Sequence, residues 1–328
     1  MQFRTPVELP DGSWQISHSD PLLLMGSCFS EHIGQLLVEN KFTCDVNPFG
    51  VLYNPASMAR ALGELCDGKV YAASDLVCRR GEWHSMMHHG SFSAADPAEC
   101  LARINRRLSE GAARLREAKW LILTWGTARV YEWEGDGRVA GNCHKFPARE
   151  FCRRLLTSEE IIASHRSLIQ RLLTLNPALQ ILLTVSPIRH AKDGMHGNQV
   201  SKATLLLAAD ALCDCFPNVC HYFPSYEIVM DELRDYRFYA DDMLHPSPIA
   251  VAYVWECFSQ IFTPGTRTCI QQWESIRKAL AHRPFHPETE EYRTFLRQIL
   301  LKIEAMKEKF PYLDVENEQR ICLTRLKK

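Results

Sequence analysis

The sequence lacks any apolar run close to the ~20 residues that a membrane-spanning helix needs. Its apolar runs, such as residues 22–25 and 205–209, are far shorter. The opening residues, MQFRTPVELPDGSW, have neither the basic nor the apolar region of a signal peptide. Internal repeats and low-complexity tracts are also missing, which argues against solenoids and flexible linkers. These absences predict a globular cytoplasmic protein without a membrane span.

The sequence also lacks an excess of either charge, since it contains 38 Lys and Arg residues and 39 Asp and Glu residues. This balance gives no electrostatic reason to expect a nucleic-acid partner or an anionic membrane surface. The 13 cysteines are odd in number and lie mostly in apolar segments, which favours reduced, buried thiols. Cys213, Cys215 and Cys220 lack the Cys-x-x-Cys spacing of a zinc ribbon. We expect no disulfide framework, no metal and no cofactor.

The sequence does contain alternating strand and helix patterns. Its composition, 46% hydrophobic and 23% charged residues, is ordinary for a globular protein. Four short aliphatic segments predict buried strands at residues 22–25, 120–125, 181–186 and, more weakly, 221–223. This alternation predicts an α/β fold, a three-layer α/β/α sandwich with a mostly parallel central sheet. Its ligand site is expected outside the carboxyl ends of the strands.

Several helices can be placed on this pattern. The first follows the first strand, with Ser30 expected to cap it, and another is expected to open at Ser247 and Pro248. A third helix is predicted over residues 198–216. Its apolar residues recur at three- and four-residue steps, namely Val200, Ala203, Leu207, Ala211 and Cys215.

The domain organisation is read from where this alternation fails. Residues 68–98 and 131–150 do not fit it, and we expect loop insertions over the site there. We assign residues 1–264 to one domain and 265–328 to a charged, helical C-terminal extension, in which Ile299, Ile303 and Met306 have helical spacing. That extension is a candidate for docking a partner or a second copy of the chain. The oligomeric state is not predicted.

Two segments contain residues suited to nucleophilic catalysis. In LLLMGSCFS, Gly26 permits a tight turn and Ser27 stands at a strand end, where the backbone N–H groups opening the next helix can stabilise an oxyanion. The alternative for Ser27 is a plain helix cap. In DDMLHPS, Asp242 and His245 are three residues apart, so one loop supplies a base and the carboxylate that orients it. The alternative is a solvated surface loop, and the neighbouring Asp241 leaves the choice of aspartate open.

Together the two segments resemble the SGNH hydrolase superfamily. The string Gly26-Ser27-Cys28-Phe29 is similar to the motif after which the GSCFA family is named, with Ser30 where that name has alanine. Further stretches between residues ~20 and ~260 are similar to that family as well. They are Asn47-Pro48-Phe49-Gly50, Gly126-Thr127, Val130-Tyr131, Asn142-Cys143-His144-Lys145, Ser186-Pro187-Ile188-Arg189-His190 and His245-Pro246-Ser247.

The resemblance implies a flavodoxin-like sheet with Ser27 as nucleophile, His245 as general base and Asp242 as its partner. It also implies oxyanion donors from the backbone of Ser27 and of Gly50. SGNH enzymes have a Gly-x-Asn-Asp block where this chain reads Trp125-Gly126-Thr127-Ala128. The third oxyanion donor is therefore open. We rank Thr127 and His144 ahead of Asn142 for it.

Other polar residues are candidates for binding substrate. Arg189 and His190 follow a predicted strand, and Arg189 suits either a substrate carboxylate or phosphate or a salt bridge within the protein. His88 and His89, together with Asn142 and His144, are predicted to line the site. A metal site at His84, His88 and His89 is the less favoured interpretation, because no acidic or cysteine ligand pattern accompanies them. A thiol enzyme using Cys28 or Cys143 is a further alternative.

The combined prediction is a serine-dependent esterase that removes a small O-acyl group, with a carbohydrate O-acetyl ester as the first substrate class by resemblance. Transfer of the acyl group to an acceptor other than water would use the same residues. A non-catalytic binding protein of the same fold is the third hypothesis, motivated by the missing block asparagine.

Overall fold

The computed structural model describes residues 4–282 and 284–327. Its strands are β1 (Leu22–Gly26), β2 (Cys44–Val46), β3 (Val77–Arg79), β4 (Glu82–His84), β5 (Trp120–Trp125), β6 (Arg129–Trp133), β7 (Phe151–Leu155), β8 (Gln180–Val185) and β9 (Cys220–Tyr222). Its α-helices are α1 (Cys28–Glu39), α2 (Pro55–Asp67), α3 (Pro97–Glu117), α4 (Ser158–Leu175), α5 (Gly194–Cys215), α6 (Ser225–Glu227), α7 (Pro248–Ser259), α8 (Pro264–Ala281), α9 (Glu290–Lys309) and α10 (Glu316–Leu326). A π-helix, Ile228–Leu233, continues from α6.

The central sheet has five parallel strands in the order β2, β1, β5, β8, β9. This is the flavodoxin-like order, and it confirms the predicted α/β sandwich. The chain leaves β1 toward β2 on one side and returns to β5 on the other, so the topological switch point lies between β1 and β5. The four predicted strands are present, while the short, half-buried β2 was not predicted.

The sheet separates two hydrophobic cores because successive side chains of a strand point to opposite faces. On β1, Leu23 and Met25 join the core formed with helices α2 to α5. Leu22 and Leu24 join the opposite core, which α1 and α7 cover. The layers are therefore helix, sheet and helix.

The observed N-termini of α1 and α7 contradict one prediction and confirm another. Helix α1 begins at Cys28, so Ser27 and not Ser30 occupies the N-cap position. The Ser30 hydroxyl is buried within the helix and has no hydrogen-bond partner among the described residues. Helix α7 starts as predicted, with Pro248 in its first turn and Ser247 Oγ accepting a hydrogen bond from Ala250 N at 3.3 Å.

Helix α5 lies where it was predicted, but the predicted apolar face was wrong. Val200 is 38% exposed and Leu207 63% exposed. The residues facing the core are Asn198, Ser201, Lys202, Leu205, Ala208, Ala209 and Leu212. The true buried face mixes polar and apolar residues because part of it supports the polar carboxyl edge of the sheet, so hydrophobic spacing pointed to the wrong side.

The two stretches that interrupt the alternation each hold strands of a small antiparallel sheet. Strands β3 and β4 pair within residues 68–98. Strands β6 and β7 pair around the second stretch, so that residues 134–150 form the connection between them. The second hairpin leaves the central sheet directly after β5, which places it beside the switch point.

The C-terminal helices form a third hydrophobic core around Trp273, Leu296 and Ile303. This core docks on the end of α1, where Trp273 Nε1 donates a hydrogen bond to Glu39 O at 2.8 Å. The helical character predicted for this region is confirmed, and the domain boundary at 264/265 stays a prediction. Across residues 4–282 and 284–327, every helix is too short or too polar to cross a bilayer.

The end of β1 depends on a close contact with β5. A Cβ atom at Gly26 would lie 2.5 Å from Thr124 O, which is inside van der Waals contact. Gly26 N donates to Asn47 Oδ1 at 2.9 Å, and Gly26 O accepts from Leu52 N at 3.1 Å. Its backbone φ is not positive. Gly26 is therefore needed for the approach of two strands and not for the tight turn that the sequence suggested.

We predict that Gly26→Ala lowers the free energy of unfolding by about 1–3 kcal/mol, because the added methyl group overpacks the junction of β1 and β5. Urea unfolding followed by circular dichroism measures this change. Gly90→Ala is the matched control, since a Cβ at Gly90 meets nothing within 4 Å. Equal stabilities for the two variants would contradict the importance of the contact.

Candidate active site

Ser27 lies at the switch point, between the end of β1 and the start of α1. It occupies the N-cap position of α1, yet its side chain makes no capping hydrogen bond. The residue is 1% exposed, and its Oγ has no hydrogen-bond partner among the described residues. A serine used as a cap accepts a backbone N–H of the first helical turn. The capping alternative for Ser27 therefore does not describe this structure.

Asp242 and His245 form a pair within one turn of the chain. Asp242 Oδ2 lies 2.5 Å from His245 Nδ1. Asp242 Oδ1 accepts hydrogen bonds from the backbone N–H groups of Leu244 and His245, each at 2.9 Å. Met243 has a φ of +58°, a left-handed conformation that tightens this turn. The turn thus fixes the carboxylate against one ring nitrogen and leaves His245 Nε2 free of it.

These hydrogen bonds also keep Asp242 ionised. The backbone N–H groups of His245 and Leu244, followed by the His245 side chain, lower the pKa of Asp242 to about 2. An ionised Asp242 can only accept a hydrogen bond, so it favours the tautomer of His245 that has its proton on Nδ1 and leaves Nε2 as the basic nitrogen. Asp242 therefore holds the His245 ring in place, and Asp241 makes no corresponding contact with His245 within the described chain.

A cavity of about 580 Å³ lies at the carboxyl ends of β1, β5 and β8, and both Ser27 and His245 line it. The structure thus brings together two segments more than 200 residues apart in the sequence. Ser27 Oγ makes no hydrogen bond to His245. In enzymes without bound substrate such bonds are often long and form only in the complex.

The predicted oxyanion donors have internal partners in this structure. Ser27 N donates to Thr124 O at 3.3 Å. Gly50 N donates to Asn47 O at 2.7 Å, and Gly50 packs under His89 away from the cavity. Thr127 lines the cavity, but its Oγ1 accepts from Arg129 N at 3.1 Å and contacts Ser201 Oγ at 3.0 Å. The structure does not bring Gly50 to the site.

Asn54 is a donor that the sequence analysis missed. It lines the cavity with Ser27 and caps α2, where its Oδ1 accepts a hydrogen bond from Ser57 N at 2.8 Å. That bond commits the oxygen of the side chain and leaves its Nδ2 without a partner among the described residues. The Asn-Pro pair at 54–55 was a readable signal for a helix start. Its place beside Ser27 depends on the fold.

The predicted substrate-binding residues divide into two groups. Asn142, Arg189 and His190 line the cavity. His190 lies near Ser27, because a Cβ at Gly126 would be 3.4 Å from His190 Nε2 and 3.5 Å from Ser27 Cβ. Burial, assisted by the nearby positive charge of Lys202, lowers the pKa of His190 to about 4, so this ring is neutral at pH 7.

The other predicted histidines lie away from the cavity. His88 is fully buried, stacks on Phe49 at 4.6 Å, and has its pKa lowered to about 3, mainly by burial. His89 covers Gly50. His144 Nε2 donates to Ser85 O at 2.8 Å, and its ring stacks on His84. These rings support the loop that carries β3 and β4, which is why neighbouring histidines in the sequence do not share one pocket.

The described residues, 4–282 and 284–327, contain no group of three or more His, Cys, Asp or Glu side chains placed to hold a metal ion. Three of the histidines in this region form separate hydrogen bonds instead. His84 bonds to the Ser93 hydroxyl, His88 to the Ser85 hydroxyl and His144 to the Ser85 carbonyl oxygen.

A model of the GSCFA family matches residues 21–258. The chain belongs to the GSCFA family. A second model, described as GSCFA domain protein, C-terminal domain, matches residues 273–328. A search of curated proteins finds no match.

The residues of the GSCFA motif have distinct roles here. Gly26 allows the contact between strands, Ser27 faces the cavity, and Phe29 is 2% exposed in the core beneath α1. Cys28 Sγ lies 3.5 Å from Tyr53 OH at the cavity wall. Ser30 stands at a buried position that gives its hydroxyl no partner among the described residues.

The two cysteines of the thiol alternative both line the cavity. Burial raises the pKa of Cys143 to about 11, so this thiol is protonated at neutral pH. Neither thiol makes a hydrogen bond to a histidine in the described part of the chain. Ser27 Oγ has no such hydrogen bond either, so this geometry does not distinguish the thiol alternative from the serine.

Lys202 of this GSCFA chain is a buried cation that the sequence analysis did not single out. It is 1% exposed, and its Nζ donates to Gly126 O at 2.6 Å and to Ser186 O at 2.5 Å. These carbonyls follow β5 and β8, so Lys202 ties together two strand ends below the cavity. Burial lowers the pKa of Lys202 to about 7, and the two N–H donors of a neutral amine suffice for both carbonyls.

This lysine predicts a rise in stability with pH. Above pH ~7 the folded chain loses the proton of Lys202, while the unfolded chain keeps it up to ~10.4. The unfolded state then binds more protons, so the free energy of unfolding rises with pH by up to ~1.4 kcal/mol per unit. Urea unfolding between pH 7 and 10 should show this rise in wild type relative to Lys202→Met.

The matched control is Lys278→Met, which removes a lysine with a side chain 74% exposed. Its difference from wild type should stay constant over the same range of pH. A constant difference for Lys202→Met as well would show that Lys202 remains charged in the folded protein.

Proposed function

We propose that this chain is a serine-dependent carboxyl-ester hydrolase of the SGNH type that removes a small O-acyl group through an acyl-enzyme. The observation that supports this most directly is the 2.5 Å hydrogen bond between His245 and Asp242, together with the cavity that His245 and Ser27 both line. A hydroxyl nucleophile, an imidazole base and a carboxylate that orients it are the parts that acyl transfer needs.

In the first step Ser27 Oγ attacks the ester carbonyl carbon, and its proton passes to His245 Nε2. The tetrahedral oxyanion is stabilised by N–H donors at the start of α1 and by Asn54 Nδ2, which has no partner among the described residues. Collapse breaks the bond to the alcohol, which leaves with the proton from His245. Ser27 then carries the acyl group as an ester.

In the second step a water molecule attacks the acyl-enzyme and gives a proton to His245. Collapse releases the carboxylic acid, and the proton returns to Ser27 Oγ. Asp242 stays ionised throughout and stabilises the imidazolium, in keeping with its low pKa. No redox partner or metal is required by this sequence of steps.

The substrate is a small-molecule ester, with an acetylated carbohydrate as its first candidate. The balanced charge of the chain gives no electrostatic reason to expect nucleic acid as a partner. Residues 1–264 form the catalytic domain in this proposal, and residues 265–328 an appended helical unit. A cytoplasmic location belongs to the same set of predictions.

We predict that Ser27→Ala and His245→Ala each lower kcat/KM for p-nitrophenyl acetate by ~10³-fold or more, and Asp242→Asn by a similar factor, because each removes a member of a unit that acts together. Ser109→Ala on α3 and His32→Ala on α1 are matched controls at exposed positions. Full activity in Ser27→Ala would exclude Ser27 as the nucleophile.

Acyl transfer is a second candidate, because the same residues would perform it. Product analysis with and without added sugar acceptors separates the two reactions. Release of acid alone, at an unchanged rate with acceptor present, would exclude transfer to those acceptors.

A non-catalytic binding protein is the remaining candidate, and the absence of a hydrogen bond from Ser27 Oγ to His245 is the observation that favours it. Stoichiometric labelling of Ser27 by a fluorophosphonate requires an activated serine and would exclude it. Labelling should fail in Ser27→Ala and in His245→Ala. An unlabelled wild type would instead favour the binding protein.

A further inference from the structure

The cavity beside Ser27 is strongly cationic. Among the residues that the structure describes, its lining includes five cations and one carboxylate, Asp193. The cations are Arg129, Lys145, Arg153, Arg189 and Lys192. The chain as a whole carries a formal charge of −1, so this surplus is local to the cavity. Clefts lined by charge of one sign concentrate ligands of the opposite sign.

The single carboxylate does not neutralise this charge. The Asp193 side chain is 2% exposed and is paired with Arg153. It also lies 3.5 Å from Arg129 Nε, which is buried and makes no hydrogen bond to a described residue. Two guanidinium groups thus share one negative charge. A net positive charge remains at the wall of the cavity formed by the β6–β7 hairpin.

Two further cations are held in place by neutral aromatic groups. Lys192 Nζ donates to Tyr131 OH at 2.8 Å. The Arg189 guanidinium lies 4.0 Å from the centre of the Tyr239 ring, and the backbone N–H of Arg189 donates to Leu244 O beside His245. Neither cation forms an ion pair within residues 4–282 and 284–327. Their positions are therefore set by the protein while their charges stay available to a ligand.

We propose that the ester substrate carries an oxyanion group, a carboxylate, sulfate or phosphate, which is bound by Arg189, Lys192 and the Arg129–Arg153 pair. This inference rests on the proposed function because it names the substrate class of the same cavity. Guanidinium groups suit such ligands, since they form bidentate hydrogen bonds with planar and tetrahedral oxyanions. A neutral acetylated sugar would leave these charges without partners.

The test compares two acetate esters of nearly equal shape, 4-acetoxybenzoate and 4-acetoxybenzamide, which differ in one negative charge. We expect wild type to have a kcat/KM for the benzoate at least about tenfold higher than for the benzamide, the factor expected from one charge-assisted hydrogen bond. The preference should shrink as salt is added, because salt screens charges in an open cavity.

Arg189→Gln and Lys192→Gln should each lower the ratio of benzoate to benzamide rates by about threefold to tenfold. The charge-retaining Arg189→Lys and Lys192→Arg should restore much of it. Arg166→Gln is the matched control, since it removes an exposed arginine on α4 that does not line the cavity and should keep the wild-type ratio.

Binding of 4-acetoxybenzoate to the Ser27→Ala protein, measured by calorimetry, tests the inference without turnover. If wild type hydrolyses both esters at equal rates, and Ser27→Ala binds them equally, the anionic substrate class is excluded while the hydrolase proposal stands. If wild type hydrolyses neither ester but still binds the benzoate more tightly than the benzamide, the hydrolase proposal fails and the oxyanion site stands.

Discussion

The close approach of β1 to β5 at Gly26 is the contact on which the geometry of the candidate site depends. Parallel strands bring their carboxyl ends to one edge of the sheet. At a switch point the connections that leave two neighbouring strands run to opposite sides, which opens a crevice between those strands. Here the hydrogen atom of Gly26 lets Thr124 come near, and Asn47 holds the Gly26 N–H. Ser27 consequently leaves the sheet at the crevice, beside the residues that follow β5.

The edge of the sheet is held together by polar groups that the fold must bury. Backbone carbonyls beyond the ends of β5 and β8 need donors, and Lys202 supplies them from α5. Ser201, one residue earlier on α5, accepts a hydrogen bond from Ala128 N and contacts Thr127. One helical turn thus organises the floor of the cavity, and this task explains why the buried face of α5 is partly polar.

Charge is distributed unevenly around the same cavity. Asp242 is hydrogen-bonded to His245, and Asp193 is paired with two arginines. The remaining wall presents cations held by Tyr131 and Tyr239. The proposed chemistry and the proposed substrate class therefore use different parts of one cavity. The base lies on the turn before α7, and the anion-binding groups lie on the hairpin after β5 and the segment after β8.

Local sequence determined much of this protein. The aliphatic runs predicted β1, β5, β8 and β9, the Ser-Pro pair predicted the start of α7, and the motif residues pointed to Ser27, Asp242 and His245. Such features depend on neighbours within a few residues, through strand burial, capping and turn geometry. The family resemblance rested on the same short strings.

The tertiary structure decided which residues meet. Gly50, His88, His89 and His144 were predicted as site residues, but in the structure they pack within or against the loop that carries β3 and β4. Asn54, Lys202 and the arginines of the β6–β7 hairpin reach the cavity region from elements that no local pattern connects to Ser27. Which side chains share a cavity depends on the packing of strands and helices distant in sequence, and periodicity within one segment contains no information about that packing.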